Sequence, residues 1–437
     1  MPRALPTVIP VPPVVDLSFP WDEPDAPDPV VGLGEARAAI GDTFLVDSGS
    51  DRYLFVFSAD AVHDFYALPE PVASKGLADY RMLVRKLPKE LFSNRRTFAH
   101  DLFGAQDVES YLDHLDTAVS RQIDELGDSG TIDTFELSRR LGHRLALGCW
   151  MGDVAADHPL LDSLIRDFDQ LDGADAFVHP ERMVRAVRGG GEESDGGDDG
   201  FAGERAALAR VEEVVADLLA DGAPDDGFLA EIADRWADVD DAECARGVTG
   251  DIVLLHIATM TNLFAALGWT LGLLVLHPEA RARVEAGDTS FLERCELESI
   301  RLGQRSIMMR SVLTPCSISD GVETYALDPG MILATMLPVT NLTAAPGFET
   351  YDPDRWDGRR LRNEAALAGR ELVTTFGHGS HRCPAQRFSL SAIGRAVSRI
   401  VTTFHLEPAF DAIRPLPLQI GGMARPADPC LVSYRRR

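Results

Sequence analysis

From Ile252 to Leu276 the chain carries no Asp, Glu, Lys or Arg. A run of that length and character has two outcomes. It crosses a bilayer, or it is the central helix of a domain large enough to bury it on every side. It lies inside a longer helical stretch, Asp240 to His277, of roughly 57 Å at 1.5 Å per residue. His256, Thr259, Thr261 and Asn262 interrupt its middle, and no basic cluster flanks it. Those features argue for a core helix. The chain has 437 residues, 45% of them hydrophobic, which is enough for a large core. Its net charge of −27 argues against nucleic acid or an anionic membrane surface as the main partner. None of the six cysteines forms a C-x-x-C pair or a zinc-type spacing, which fits structural thiols in a reducing cytosol.

The chemistry concentrates at Phe376 to Arg387, Phe-Gly-His-Gly-Ser-His-Arg-Cys-Pro-Ala-Gln-Arg. Gly377 and Gly379 permit a tight turn and a close backbone approach to a ligand. Pro384 suits the first position of a helix. Beyond it Phe388, Ile393, Val397, Ile400 and Val401 recur at helical spacing. Cys383 is therefore expected at the mouth of a helix, where free N–H groups and the helix dipole favour a thiolate. One thiolate without a second cysteine suits a single axial ligand of haem iron. A hydrolase elbow around Ser380 is excluded, because His378 and Arg382 stand where glycines are needed.

The Phe-x-x-Gly-x-x-x-Cys-x-Ala spacing resembles the haem-binding loop of the cytochromes P-450, the haem-thiolate monooxygenases. Two further stretches resemble that family in the same order: Glu298-x-x-Arg301, and the meander Tyr351-Asp352-Pro353-Asp354-Arg355-Trp356. The resemblance covers roughly residues 90 to 435 and implies a mainly α fold with small β-sheets, one large haem-binding domain. It implies haem b with Cys383 as the iron ligand, Phe376 against the porphyrin beside Gly377, and His381 on a propionate, where the family usually has arginine. Arg310 stands near the family's arginine for the second propionate. Arg96, four residues after Phe92 and so on one helix face with it, stands where the family often has Trp-x-x-x-Arg. Glu298, Arg301 and Arg355 are implied to form an ion network behind the haem.

The long helix departs from the family where oxygen activation is steered. Its usual acid–alcohol pair becomes Thr261–Asn262, and asparagine cannot act as an acid. The asparagine resembles one branch of the family, in which one member inserts oxygen and another isomerises a peroxide. The resemblance therefore implies a monooxygenase acting on a hydrophobic small molecule with O2. The alternative is a haem-thiolate isomerase or dehydratase that uses none. No flavin or iron–sulfur domain is fused, so a ferredoxin and its reductase are the implied donors. Arg387, Arg395 and Arg399, near one face of the last helix, are the implied docking face.

Residues 1–30 read as a proline-rich extended arm with no signal peptide or anchor, and 31–437 as the domain. A soluble, cytoplasmic protein of bacterial type is implied. The Gly/Asp-rich segment 188–200 reads as a flexible loop near the substrate lid. Strands are expected at Thr43–Val46 and Tyr53–Ser58, helices at Val108–Leu126, Ile132–Met151, Leu160–Leu171 and Arg205–Ala220, and a loop at Pro69–Gly76.

Overall fold

A computed structural model describes residues 11–23, 25–48, 51–98, 101–102, 104–157, 159–172, 201–224, 227–359, 361 and 367–437. The segment 188–200 and the first ten residues of the arm lie outside the described residues.

The fold is mainly helical with small sheets. Its axis is the helix Asp241–Leu276 (hereafter α9), started by the Asp240 carboxylate, which accepts the Glu243 N–H at 2.9 Å. α9 is long and apolar enough to cross a membrane, yet 78% of its most apolar 18-residue window is buried in the fold. It packs against α5 (Thr134–Met151), α7 (Ala202–Ala220), α11 (Thr289–Gly303) and α13 (Gln386–Thr403). The α5–α9 approach is close because Gly142 lies against the Phe264 ring, where a Cβ would overlap it at 1.8 Å. The expected helix Ile132–Met151 begins instead at Thr134. Asp133 takes the N–H groups of Phe135 and Glu136, so Ile132 stays in a strand, Ser129–Asp133 (β5).

Beside this helical body stands a six-stranded sheet, ordered β1-β2-β3-β9-β6-β4. Its strands are Val14–Val15, Thr43–Asp47, Arg52–Val56, Ile332–Met336, Ile307–Val312 and Ala73–Ser74 in that order. The alternation of a strand explains its two cores. Phe44, Val46, Tyr53 and Phe55 pack on one face; Leu45, Leu54 and Val56 pack on the other. A small hairpin (β7–β8) joins Cys316–Ser319 to Thr324–Leu327. The other sheet sets Leu431–Arg436 (β11) between Phe404–Pro408 (β10) and β5.

Three expectations need correction. The stretch 11–28 is extended as expected, but it is part of the domain and not an arm beside it. β1 pairs with β2, Phe19 and Trp21 are fully buried and stacked at 4.6 Å, and the first helix already starts at Pro29. Pro69–Gly76 is not all loop. Ala73–Ser74 pairs with β6, and the Ser74 hydroxyl caps the helix Lys75–Leu83 (α3). Phe92 and Arg96 do not share a helix. A 3-10 turn, Lys89–Phe92, ends there, and Asn94 adopts φ +56°. The N–H groups that a helix would use are captured elsewhere: Thr97 N–H donates at 3.0 Å, and Arg96 N–H at 3.3 Å, to the buried carboxylate of Asp251.

Candidate active site

The cysteine loop is built from both ends. Upstream, Asn341 is fully buried and holds Thr374 on both backbone groups, accepting its N–H at 2.7 Å and donating to its carbonyl at 2.9 Å. Gln304 Nε2 holds the Thr375 carbonyl at 3.1 Å. Gly377 then turns at φ +77°, where a Cβ would lie 2.7 Å from the His381 carbonyl oxygen, so only glycine fits. The loop closes when the Cys383 N–H donates to the Phe376 carbonyl at 2.7 Å. Helix α13 follows within three residues.

Cys383 is half-buried and free, and packs with Phe376 against the core cluster that contains α9. Burial pushes its thiol up, and this outweighs the Ala385 N–H and the Arg382 charge that favour the thiolate. The expected thiolate preference is thus not intrinsic to the loop. The helix mouth moderates the cost of burying charge without cancelling it.

Behind the loop the ion network is assembled. Arg301 grips Glu298 with two bonds, Nε to Oε2 at 2.8 Å and Nη2 to Oε1 at 2.7 Å, and both side chains are fully buried. Glu298 also accepts the Asp352 N–H at 3.1 Å, Trp356 Nε1 at 2.9 Å and Arg355 Nε at 3.4 Å. Arg301 spends Nη1 on the carbonyls of Asn341 and Phe348. A carboxylate with this many donors and a bidentate partner is rigid and charge-balanced. Asn341 links the network to the loop, because its Nδ2 also bonds the Arg301 carbonyl at 3.2 Å.

His381 lies with Glu70 and Arg310. Its Nε2 is 3.0 Å from Glu70 Oε1, though not aligned for a hydrogen bond. Arg310 is fully buried. Its guanidinium donates to the carbonyls of Ala73, Phe65 and Leu68, and Nη2 lies 3.5 Å from the same Glu70 oxygen. Arg96 is not brought to this group. It bonds the Arg235 carbonyl at 2.7 Å and the Asp238 carboxylate, and lies 4.2 Å over the Trp236 ring.

On α9 the burial pattern breaks at one place. Ala258 and Asn262 are exposed and Thr259 and Thr261 half-buried, in a helix otherwise enclosed on both sides of this stretch. Thr261 Oγ1 donates to the Ile257 carbonyl at 3.1 Å, a bond within its own helix. Asn262 Oδ1 accepts the Met423 N–H at 2.8 Å, and Trp269 Nε1 donates to the Ala424 carbonyl at 2.8 Å. The loop 419–425 is thereby laid along α9. Two of the arginines expected to form a free basic face are engaged. Arg395 pairs with Asp116 at 3.0 Å, and Arg399 bonds the Asp116 carbonyl and Ser120, all on Ala105–Leu126 (α4).

These residues fit a porphyrin held by one sulfur. The donor set is a lone thiol: among the described residues no cluster of three His, Cys, Asp or Glu could hold a metal by itself. The buried Tyr66 Oη, Thr374 Oγ1 and His381 Nε2 have no hydrogen-bond partner among the described residues, which leaves polar atoms beside the loop for a ligand. Burial pushes the Tyr66 hydroxyl up to about 12, so it stays a neutral donor.

Asn341, Trp356, Tyr66 and Glu70 escaped the sequence reading. Asn341 alone left a weak signal, an amide in the run Met336–Leu342 whose only other polar residue is Thr340.

No protein-family model matches the chain. Among curated proteins it is similar to human 24-hydroxycholesterol 7-alpha-hydroxylase, 19% identical over 94% of this chain and 90% of that one. It is 24% identical to a sterol 14alpha-demethylase of Mycolicibacterium vanbaalenii, over 76% of this chain and 75% of the relative. A cyclooctat-9-en-7-ol 5-monooxygenase of Streptomyces melanosporofaciens is 25% identical over 46% of this chain and 48% of its own. Among solved structures, the retinoic acid-bound cyanobacterial CYP120A1 superposes with a TM-score of 0.74 at 17% identity. That likeness covers 98% of this chain and all of the other, extending the match through the first ninety residues. The structural likeness establishes the fold, that of the cytochromes P-450, and the curated relatives to which the chain is similar are named a hydroxylase, a demethylase and a monooxygenase.

Proposed function

We propose that this protein holds haem b through Cys383 and hydroxylates, or otherwise oxidises, a hydrophobic small molecule with O2. Electrons would come from a ferredoxin and its reductase. The observation that carries the reading is the single thiol of Cys383, in a glycine loop fastened by the Phe376 carbonyl and by Asn341 to the Glu298–Arg301–Arg355 network. When bound, a thiolate-ligated haem supplies the iron that activates dioxygen, the thiolate favouring O–O cleavage.

The chain's own groups divide the remaining work. Phe376 and Gly377 shape the apolar side of the loop, and His381 offers a ring nitrogen to a carboxylate of the cofactor. Thr261 has turned its hydroxyl onto the Ile257 carbonyl, so Asn262 is the better placed of the pair. With its oxygen on Met423, its Nδ2 has no hydrogen-bond partner among the described residues. It can donate a hydrogen bond but supplies no acidic proton. Monooxygenation is favoured over isomerisation by the relatives' names, a hydroxylase, a demethylase and a monooxygenase. Two are named for sterols, which supports an apolar substrate of that kind. The burial of α9 and the net charge of −27 support a protein working in the cytoplasm.

The test is a reduced CO-difference spectrum of wild type and Cys383→Ala. The wild type is expected to give the red-shifted Soret band of thiolate ligation, and Cys383→Ala to lose it. A wild-type preparation that stays colourless and refuses added hemin would overturn the proposal.

A further inference from the structure

Glu70 stands between the two side chains named above for the cofactor's carboxylates, the His381 imidazole and the Arg310 guanidinium. Its Oε1 is 3.0 Å from His381 Nε2 and 3.5 Å from Arg310 Nη2. It is also tethered. The Lys75 N–H donates to Oε1 at 3.1 Å and the Ser74 hydroxyl to Oε2 at 2.8 Å, both at the start of α3. Arg310 is fully buried, and three backbone carbonyls already occupy its donors, so what remains of the guanidinium points at Glu70. A second carboxylate arriving at His381 would meet the first within a few ångström, and like charges at that spacing repel strongly in a half-buried site.

We propose that Glu70 is an internal counter-anion in this seat, and that seating the cofactor's carboxylate displaces it from His381 and loosens the first turn of α3. The inference rests on the haem reading above. It makes Glu70 a positioning residue whose removal strengthens cofactor retention, opposite to the effect of deleting a ligand-binding side chain.

The test compares wild type with Glu70→Gln. The amide keeps an oxygen for the Lys75 N–H and loses the charge. Haem transfer from each full-length holoprotein to excess apomyoglobin is timed. Both are also reconstituted with iron protoporphyrin dimethyl ester, which lacks free carboxylates. Glu70→Gln is expected to slow haem loss about tenfold, the scale of one screened charge repulsion, and to leave loss of the ester unchanged. In wild type, hydrogen exchange at Lys75–Leu77 is expected to quicken when hemin binds. Faster haem loss from Glu70→Gln would instead make Glu70 a support for His381 and overturn the proposal. Equal slowing of hemin and ester would overturn it too, and so would unchanged exchange at α3. A wild type without a Soret band would refute the haem reading itself, an outcome distinct from any of these.

Discussion

Glu298 accepts five hydrogen bonds from four residues, and its pairing with arginine was legible from three residues of sequence. Glu-x-x-Arg places both side chains on one helix face, and the meander arginine follows in order. What the spacing could not show was the role of Asn341, because its partners are backbone groups of Arg301 and Thr374, which no residue type in the sequence marks. Glu298→Gln would leave the fully buried Arg301 without its counter-charge. The expected loss is about 3–5 kcal/mol of stability, read from denaturant unfolding. A shift under 1 kcal/mol would mean the network is far weaker than its geometry. Glu296 is a different case. Burial holds its carboxyl well above the usual range, with the Glu293 charge adding to the effect. Its ionisation is easier in the unfolded chain, so its contribution is intact below the ordinary carboxyl value of 4.5 and declines as pH rises above it. The decline is about 1.4 kcal/mol per pH unit while only the unfolded form ionises. Glu296→Gln is therefore expected to gain in melting temperature over wild type between pH 5 and 7. Parallel pH curves for the two would contradict this.

Among the elements, the long helix was the most legible, because twenty-five residues without a charge admit few alternatives. The stretch Leu91–Phe98 was the least. Its Phe–Arg spacing suits a helix, but Asp251, more than 150 positions away, takes the Arg96 and Thr97 N–H groups and the Trp236 indole N–H. Long-range capture of this kind overrides local periodicity. Asp251→Ala would strand those donors at roughly 1–3 kcal/mol each, and faster amide exchange at Arg96 and Thr97 would report it. Protection unchanged at both would show that the segment is held by something else. Asn262 tests the middle of the long helix. Asn262→Ala removes the acceptor of the Met423 N–H and is expected to cost about 0.5–1.5 kcal/mol. It should also quicken exchange across 419–425, while the rest of the helix stays protected.

At the scale of the whole molecule, the family resemblance implied one large domain, and the described residues form a helical body with a sheet built onto it. The boundary placed at residue 30 has no physical counterpart, because Phe19 and Trp21 fill the sheet's core before the first helix begins. Prolines suggest an extended arm, and over residues 11–28 they set an extended path that delivers two aromatics. Trp21→Ala should cost about 3–5 kcal/mol, as for other fully buried aromatics, and lower the melting temperature of the entire domain. A separate early transition would show instead that the segment unfolds alone.

The placement of β11 has a consequence for how the molecule is made. Leu431–Arg436 is the middle strand of its sheet, and one of its partners, Ser129–Asp133, emerges from the ribosome long before it. The nascent chain carries that earlier strand, and the helix it leads into, with one edge unpaired through most of synthesis. Closing so long a loop late is slow. A chain whose translation stalls ahead of Leu431 would therefore present an open edge to chaperones and proteases rather than a smaller working enzyme.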